Sequence, residues 1–205
     1  MSTILPFSQA CERNKYPILE VLSPYFSTSR QLLEIGTGTA QHAIFFAEHF
    51  PQLSWQTSDL PEHHQGIIAQ INNVDLSNIE QPIHLDVANK NWNTTNEYDA
   101  IYTANTLHIM PMSAVELFFQ GLQHVAARNS VLMVYGPFKY NGEFTSESNS
   151  VFDQVLRSRN CGSAIRDFEQ VDELAMRQGF ELILDQAMPA NNQCLVWRRS
   201  QHQYN

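Results

Sequence analysis

The chain has 205 residues, enough for one domain with a sizeable core. Hydrophobic residues make up 43% and charged residues 16%, as in an ordinary globular protein. The net charge of −9 argues against a nucleic-acid partner, because phosphate contacts need clustered lysines and arginines. We therefore expect residues 1–205 to form a single globular domain.

Cysteine usage and hydropathy favour a cytoplasmic protein. Cys11, Cys161 and Cys194 are odd in number and far apart, which suits a reducing compartment rather than a disulfide framework. No C-x-x-C pair is present, so we expect no metal site. The N-terminal sequence lacks the basic start and long apolar core of a secretory signal. No apolar run reaches membrane-spanning length, so we expect no membrane partner.

Residues 1–28 are predicted to be an N-terminal arm followed by a helix. Apolar residues recur at helical spacing from Tyr16 to Phe26. Asn14 is predicted as the N-cap of this helix, and Pro17 fits its first turn. Residues 1–12 would then be an arm or a short helix.

The stretch QLLEIGTGTAQH, residues 31–42, is predicted to be a strand, a glycine turn and the start of a helix. Gly36 and Gly38 let the backbone turn tightly and approach a ligand closely. The helix, predicted over residues 39–49, points its N-terminal N–H groups at the same place. A strand, turn and helix of this kind are typical of a nucleotide-binding α/β domain.

Glu34 lies two residues before the first glycine, where it would repel a pyrophosphate and attract a cationic amine or sulfonium. The motif E-x-G-x-G resembles motif I of class I S-adenosylmethionine (SAM)-dependent methyltransferases. The resemblance implies that Gly36, Thr37 and Gly38 approach the methionine part and ribose of SAM, with Glu34 close by. Ala40 replaces the usual third glycine, and we expect it in the first helical turn.

Two further cofactor contacts are expected. In class I methyltransferases a helix before the first strand often covers the cofactor pocket, so the resemblance implies that Arg13 reaches the cofactor carboxylate. The alternative is a solvated arginine at a helix start. Asp59 ends the second predicted strand, residues 53–59. A carboxylate at that position can bind both ribose hydroxyls, because it offers two acceptor oxygens.

The third predicted strand covers residues 82–87 and contains Asp86 near its end. The methyltransferase pattern implies that Asp86 accepts a hydrogen bond from the adenine amino group and that the backbone N–H of Val87 meets the ring. The alternative is that Asp86 caps a helix or lies in a turn. A preceding helix is predicted over residues 63–73 with three inward side chains, Ile67, Ile68 and Ile71.

The fourth predicted strand, residues 98–104, leads into a loop that would face the transferable methyl group in the class I fold. Ligands bind outside the carboxyl ends of such strands, so Asn105 and His108 are the candidates for substrate contact, and Asn105 also for cofactor contact. His108 is predicted to take a proton from the substrate as the methyl arrives. The alternative is that Asn105 caps a turn and His108 packs beneath the next helix.

The rest of the chain is predicted to complete the sheet and cover the pocket. The predicted elements are a helix at 112–128, a strand at 130–135, a loop at 136–142, a helix within 144–160, a helix from 165 to 178, and strands at 180–188 and 193–199. We expect residues 138–168 to form a pocket lid. The two last strands indicate an antiparallel hairpin, so we predict an α/β, Rossmann-like class I methyltransferase fold. It would have a seven-stranded, mostly parallel sheet of order 3-2-1-4-5-7-6 and helices on both faces.

Stretches along nearly the whole chain resemble the family called domain of unknown function 938, which includes methyltransferase-like protein 26. They are ERNKYPILEVL, LEIGTGTAQHAIFFA, WQTSD, ANTLHI, YGPFKYNGEFTSESN, FDQVLRSRN, IRD and MPANN. The resemblance implies the methyltransferase fold and SAM as the cofactor. It implies no particular methyl acceptor.

We therefore predict a SAM-dependent methyltransferase. The acidic composition favours a small molecule or a protein side chain as the acceptor over nucleic acid. One alternative is a non-catalytic SAM-binding or scaffold module that retains the fold. Another is a nicotinamide oxidoreductase, which Glu34 and the terminal hairpin disfavour.

Overall fold

A computed structural model of the chain describes residues 5–89, 92, 94–159 and 162–200. In chain order its helices are α1 (Gln9–Phe26), α2 (Gln41–His49), α3 (Pro61–Ile71), α4 (Met112–Val125), α5 (Glu147–Arg159) and α6 (Phe168–Arg177), with a 3-10 turn at Pro189–Asn191. Its strands are β1 (Gln31–Glu34), β2 (Ser54–Asp59), β3 (Ile79–His84), β4 (Tyr98–Ala104), β5 (Ala126–Gly136), β6 (Phe138–Tyr140), β7 (Glu143–Phe144), β8 (Arg166–Asp167), β9 (Phe180–Met188) and β10 (Asn192–Arg199).

The main sheet has seven strands in the order β3-β2-β1-β4-β5-β10-β9. The neighbours from β3 to β5 pair in parallel, and β10 runs antiparallel to both β5 and β9. Since β9 and β10 are the sixth and seventh strands of this sheet, the predicted order 3-2-1-4-5-7-6 and the terminal hairpin are confirmed.

Helices cover both faces of the sheet because strand side chains alternate between the faces. Leu32 packs into a core with α1, α2 and α3, whereas its neighbour Leu33 packs into a second core with α4 and α6. Tyr102 and Ile101 divide between the two cores in the same way. Burial on both faces explains why these strands are apolar runs rather than alternating patterns.

A small second sheet of order β7-β6-β8 lies outside the main one. We predicted a loop over residues 136–142, and this prediction was wrong. The β6–β7 turn contains Asn141 and Gly142 with φ of 50° and 80°, as expected for an Asn-Gly hairpin turn. Within the expected lid, α5 begins at Glu147, and residues 160 and 161, including Cys161, lie outside the described residues.

The first helix begins earlier than we predicted. Ser8 is its N-cap, and the Ser8 side chain accepts a hydrogen bond from the Cys11 N–H at 3.3 Å. Asn14 and Pro17 lie inside the helix, so their predicted places at its start were wrong. The Asn14 side chain instead binds His42 in the interior, a tertiary contact that helix-capping rules do not include. Residues 1–4 of the predicted arm lie outside the described residues.

Two local predictions around the next helices also need correction. Ala40 precedes α2 rather than lying in its first turn, and its φ of 60° is the left-handed conformation that glycine adopts most easily. Ile68 is 37% exposed, whereas Ile67 and Ile71 are buried as predicted. Among the described residues no helix is long and apolar enough to cross a membrane.

Candidate functional site

A cavity of about 840 Å³ opens where β1, β2 and β4 end. Its size lies within the range of small-molecule sites. It brings together the following residues singled out from the sequence: Arg13, Glu34, Gly36, Thr37, Gly38, Asp59, Asn105 and His108. These residues come from separate parts of the chain. Those that follow β1, β2 and β4 meet here because parallel strands place their carboxyl ends at one edge of the sheet.

Glu34 is a buried acid that lines the cavity and is 3% exposed. Its Oε2 accepts hydrogen bonds from the Thr37 hydroxyl at 3.0 Å and from the Trp55 indole N–H at 3.1 Å. Burial raises the pKa of Glu34 to about 7, despite these two donors. The carboxyl group is therefore held in a fixed position and gains or loses its proton near neutral pH.

The two glycines of the turn have different surroundings. At Gly36, with φ of 76°, a Cβ atom would lie 2.6 Å from Cγ2 of Thr106. At Gly38, with φ of 60°, a Cβ atom would meet nothing within 4 Å. Gly36 is therefore required by packing against the loop after β4, whereas Gly38 leaves its backbone open to the cavity for a ligand.

The Asp59 carboxylate is hydrogen-bonded to the glycine turn. Its Oδ2 accepts a hydrogen bond from the Gly38 N–H at 2.7 Å, and its Oδ1 accepts one from the Leu60 N–H at 2.8 Å. A carboxylate has about four lone-pair positions, so both oxygens retain room for a ligand hydroxyl. The carboxylate is thus oriented before any ligand binds.

Arg13 reaches the same cavity from α1. Within the described part of the chain its side chain makes no hydrogen bond or ion pair, so its charge is available to an anionic group. The neighbouring turn of α1 is held over the glycine turn, since Gln41 Nε2 donates to Glu12 at 2.7 Å and Gln41 Oε1 accepts from the Thr39 hydroxyl at 2.9 Å.

A buried polar network beneath the cavity was missed by the sequence reasoning. His42 is 5% exposed, and burial lowers its pKa to about 4, so its ring is neutral. Nε2 lies 2.7 Å from Oδ1 of Asn14, and Nδ1 lies 3.1 Å from the Tyr102 hydroxyl. Since Oδ1 only accepts, Nε2 carries the proton and Nδ1 accepts from Tyr102. No sequence signal beyond the position of His42 next to the glycine motif points to this network.

Asn105 and His108 lie on the loop after β4, as predicted. Asn105 has φ of 59°, and its N–H donates to the Tyr135 carbonyl at 2.8 Å. His108 is 7% exposed, and its ring lies edge-on to Phe152 with 5.4 Å between centroids. Burial, together with the nearby Arg166 charge, lowers the pKa of His108 to about 4. The His108 ring is therefore neutral, and among the described residues it has no hydrogen-bonding partner.

The backbone of this loop is clamped by residues 163–166, which the sequence reasoning did not single out. All four carbonyls from Leu107 to Met110 accept hydrogen bonds from this segment. Arg166 donates to Leu107 at 3.0 Å and to Met110 at 2.7 Å. The Ala164 N–H donates to His108 at 3.0 Å, and the Ser163 hydroxyl donates to Ile109 at 2.8 Å. These bonds fix the backbone that carries His108.

Asp86 and Val87 are not brought into the cavity. Asp86 lies two residues beyond the end of β3, and its Oδ1 accepts a hydrogen bond from the Ala88 N–H at 2.9 Å. Its Oδ2 accepts from the Asn89 amide at 3.3 Å. This geometry is the turn arrangement that we kept as the alternative, and the predicted contacts of Asp86 and Val87 with adenine remain predictions.

Residues from the later part of the chain complete the cavity. They are Ser148, Asn149 and Phe152 of α5, Ala190 and Asn191 between β9 and β10, and Asn192 at the start of β10. The three from α5 lie within the predicted lid, but sequence reasoning did not single out any of the six as a site residue. The two segments are joined, since Asn149 Nδ2 donates to the Asn191 carbonyl at 2.9 Å. Within the described ranges no group of three or more His, Cys, Asp or Glu side chains could hold a metal ion.

Solved methyltransferase structures share this fold. An O-methyltransferase family protein from Burkholderia thailandensis is 15% identical, with 95% of this chain and 58% of that one covered at a TM-score of 0.83. Human N-acetylserotonin methyltransferase in complex with SAM is 13% identical, with 94% of this chain and 53% of that one covered at a TM-score of 0.80. Mitomycin 7-O-methyltransferase is 17% identical, with 92% of this chain and 54% of that one covered at a TM-score of 0.77.

The chain spans little more than half the length of these proteins, and at such identities the likeness concerns the fold alone. A more specific relationship comes from the sequence. The family model described as "Protein of unknown function (DUF938)" matches residues 5–199. Because this match covers nearly all of the described residues, the chain belongs to the DUF938 family.

Proposed function

We propose that this protein binds SAM and transfers its methyl group to a small molecule or a protein side chain. The observation that carries the proposal is the open glycine turn beside two fixed acids. Gly38 leaves space for a ligand, its N–H donates to Asp59, and Glu34 and Asp59 both line the same cavity. The methyltransferase folds described above support the same proposal. The resemblance of the sequence to methyltransferase-like protein 26 agrees with it.

The residues of the cavity fit the parts of SAM. Arg13 would pair with its carboxylate, since the guanidinium has no other partner among the described residues. Asp59 would accept hydrogen bonds from the ribose hydroxyls, and Gly38 would allow close backbone contact. Glu34 would lie near the cationic part of the cofactor, and a positive charge there would favour its ionised form. Asp86 and Val87 do not line the cavity, and their contact with adenine is proposed from the motif resemblance alone.

SAM would supply the methyl group, and this chain would position the acceptor and manage its proton. Alignment of the reacting groups contributes up to about 7–11 kcal/mol in well-oriented reactions. The clamped loop places neutral His108 in the cavity wall, where the ring would accept a proton from the acceptor. Asn105, on the same loop, would help to orient the acceptor. We further propose a single cytoplasmic domain over residues 1–205, with residues 138–168 as the lid of the cavity.

Calorimetric titration with SAM and S-adenosylhomocysteine (SAH) tests the cofactor assignment. We expect binding in the micromolar range, about −8 kcal/mol. Asp59→Ala should weaken both ligands at least tenfold, and Asp59→Asn keeps an acceptor oxygen for Gly38 and controls for distortion of the turn. The matched control is Glu80→Ala, which removes an exposed carboxylate on β3 outside the cavity. Failure of the folded protein to bind either ligand would refute the proposal.

A non-catalytic SAM-binding module is the second candidate function. The low pKa of His108, about 4, favours it, since such a ring is a weak base. The two candidates differ in turnover. If His108 is the base, His108→Ala lowers turnover with little change in SAH affinity. A module would bind the cofactor and show no turnover on broad panels of acceptors.

A further inference from the structure

Two buried polar groups on one side of the cavity lack a partner among the described residues. Asn149 is 5% exposed, and its Nδ2 donates to Thr145 Oγ1 and to the Asn191 carbonyl, each at 2.9 Å. These bonds fix the orientation of the amide, and its Oδ1 then accepts no hydrogen bond from the described chain. The ring of His108, which is 7% exposed, likewise makes no hydrogen bond to the described chain. Neither Oδ1 of Asn149 nor the ring of His108 is among the fully buried unpaired side-chain atoms of the described residues, so both reach the cavity and are open to a ligand.

Phe152 joins these two groups into one surface. Asn149 and Phe152 are three residues apart on α5, so they share a helix face. The ring of Phe152 lies edge-on to His108 with 5.4 Å between centroids. Phe152 is 37% exposed, and Ile109 beside His108 is 53% exposed, so apolar surface adjoins both polar groups. We call Asn149, Phe152 and His108 the α5 wall.

The α5 wall carries no lysine, arginine, aspartate or glutamate. The residues of those four types among the described residues that line the cavity are Arg13, Glu34 and Asp59, and they belong to α1, β1 and β2. Arg166, whose charge acts on His108, does not line the cavity and donates its hydrogen bonds to backbone carbonyls. A charged group placed against the α5 wall would therefore lose its hydration without gaining a direct ion partner. An uncharged group with a hydrogen to donate would lose much less and would pair with Oδ1 of Asn149.

We propose that the α5 wall binds the methyl acceptor and selects an uncharged small molecule, with an apolar face and a hydroxyl or N–H donor for Asn149. This inference rests on the proposed function and names its substrate class. Asn149 is a specificity residue, because its Oδ1 pairs with the acceptor. Phe152 supplies the apolar contact, and His108 lies at the other end of the α5 wall.

Three phenol probes that differ in one substituent test this selection. They are 4-hydroxybenzyl alcohol, which is neutral, 4-hydroxybenzoate, which is anionic, and tyramine, which is cationic. Ligand-observed NMR titration of the protein saturated with SAH should show the neutral probe binding at least tenfold more tightly than either charged one. Asn149→Leu should weaken the neutral probe at least tenfold while SAH affinity is unchanged.

Two further variants distinguish recognition from general disruption. Asn149→Asp places a carboxylate in the α5 wall and should reverse the preference, so that tyramine binds more tightly than 4-hydroxybenzyl alcohol. Gln154→Leu makes a matched change at an exposed position of α5 outside the cavity and should alter nothing. Its unchanged probe affinities would show that loss of an amide from the helix is not itself responsible.

The outcomes separate this inference from the proposed function. If SAH binds but the neutral probe does not bind at millimolar concentrations, the inference is wrong and the cofactor assignment stands. The same holds if a charged probe binds as tightly as the neutral one, or if Asn149→Leu leaves the neutral probe unaffected. If the wild-type protein binds no SAH, the proposed function and the inference both fail.

Discussion

The Asp59 carboxylate accepts a hydrogen bond from the Gly38 N–H at 2.7 Å. This bond joins the end of β2 to the turn that follows β1, so one acid both shapes the turn and lines the cavity. Gly36, two residues earlier, is fixed in another way, through its N–H bond to the Ser58 carbonyl at 3.1 Å and its contact with Thr106. The turn is therefore preorganised, and its two glycines respond differently to substitution.

Alanine substitutions at the two glycines should separate folding from binding. Gly36→Ala brings a methyl group against Thr106 in a left-handed conformation, and we expect a loss of about 2–5 kcal/mol in unfolding free energy. Gly38→Ala meets open space, so we expect only the conformational cost of about 1–2 kcal/mol together with a tenfold or greater loss of SAH affinity. Urea denaturation and calorimetry measure the two effects. Equal destabilisation by both substitutions would contradict the different packing of the two positions.

The pH dependence of cofactor binding should report on Glu34. Its pKa of about 7 means that the free protein holds this carboxyl partly protonated at neutral pH. A sulfonium nearby favours the carboxylate, so binding of SAM releases a proton below that pH, and affinity rises from about pH 6 to about pH 8. SAH lacks the sulfonium charge and should show a shallower dependence, while Glu34→Gln should flatten both. Parallel titrations in several buffers check this, and identical pH profiles for SAM and SAH would refute it.

Two buried histidines should make the fold sensitive to acid. His42 and His108 have pKa values of about 4, below the ordinary 6.5, so between these limits the unfolded chain binds protons that the folded chain does not. The free energy of unfolding therefore falls as the pH falls from about 6.5 to 4, by up to about 3 kcal/mol per histidine. Glu34 acts in the opposite sense. Because its pKa is raised from 4.5 to about 7 in the folded protein, its contribution to the free energy of unfolding is present below pH 4.5 and is lost as the pH rises to about 7.

Urea denaturation at several pH values measures this dependence. His108→Gln should reduce the slope by about one proton between pH 4 and 6.5. His124→Gln, at an exposed position on α4, is the control and should leave the slope unchanged. A slope that is the same in wild type and in His108→Gln would show that His108 titrates normally in the folded protein.

The Arg166 clamp should contribute both to stability and to the geometry of the site. Arg166→Met leaves the carbonyls of Leu107, Met110 and Gly162 without their donor, and we expect a loss of about 2–4 kcal/mol in unfolding free energy. Arg177→Met removes an exposed arginine that pairs with Glu173, and should cost less than about 1 kcal/mol. Chemical denaturation compares the two variants. If they lose equal stability, the three hydrogen bonds of Arg166 are not the cause of the loss.

Sequence reasoning was most accurate where the signal is local. The bounds of β4 and β9 follow from apolar runs that end at turn residues, and Gly179, with φ of 78°, lies beyond α6 as its predicted stop. The acids Glu34 and Asp59 could be placed together because the order of parallel strands puts their carboxyl ends side by side.

The remaining features depend on contacts between distant parts of the chain. Asn14 looked like a helix cap, but it is buried against His42, 28 residues away. Arg166 bonds to Leu107, 59 residues away, and nothing in either local sequence specifies that pair. Such contacts exist only once the sheet has assembled, so the clamp and the members of the α5 wall could not be identified from local patterns, although α5 lies within the predicted lid.

The cavity has two sides with different origins in the chain. One is built into the parallel sheet and its glycine turn, where Gly36 tolerates little change; the other comes from α5 and the turn between β9 and β10. Phe152 is 37% exposed and takes no part in the hydrogen bond between Gly38 and Asp59, so we expect substitutions at Phe152 to leave the glycine turn intact. If the proposed function holds, substitutions in α5 would change which acceptor binds without changing the cofactor site, and laboratory selection for new acceptors should begin at α5.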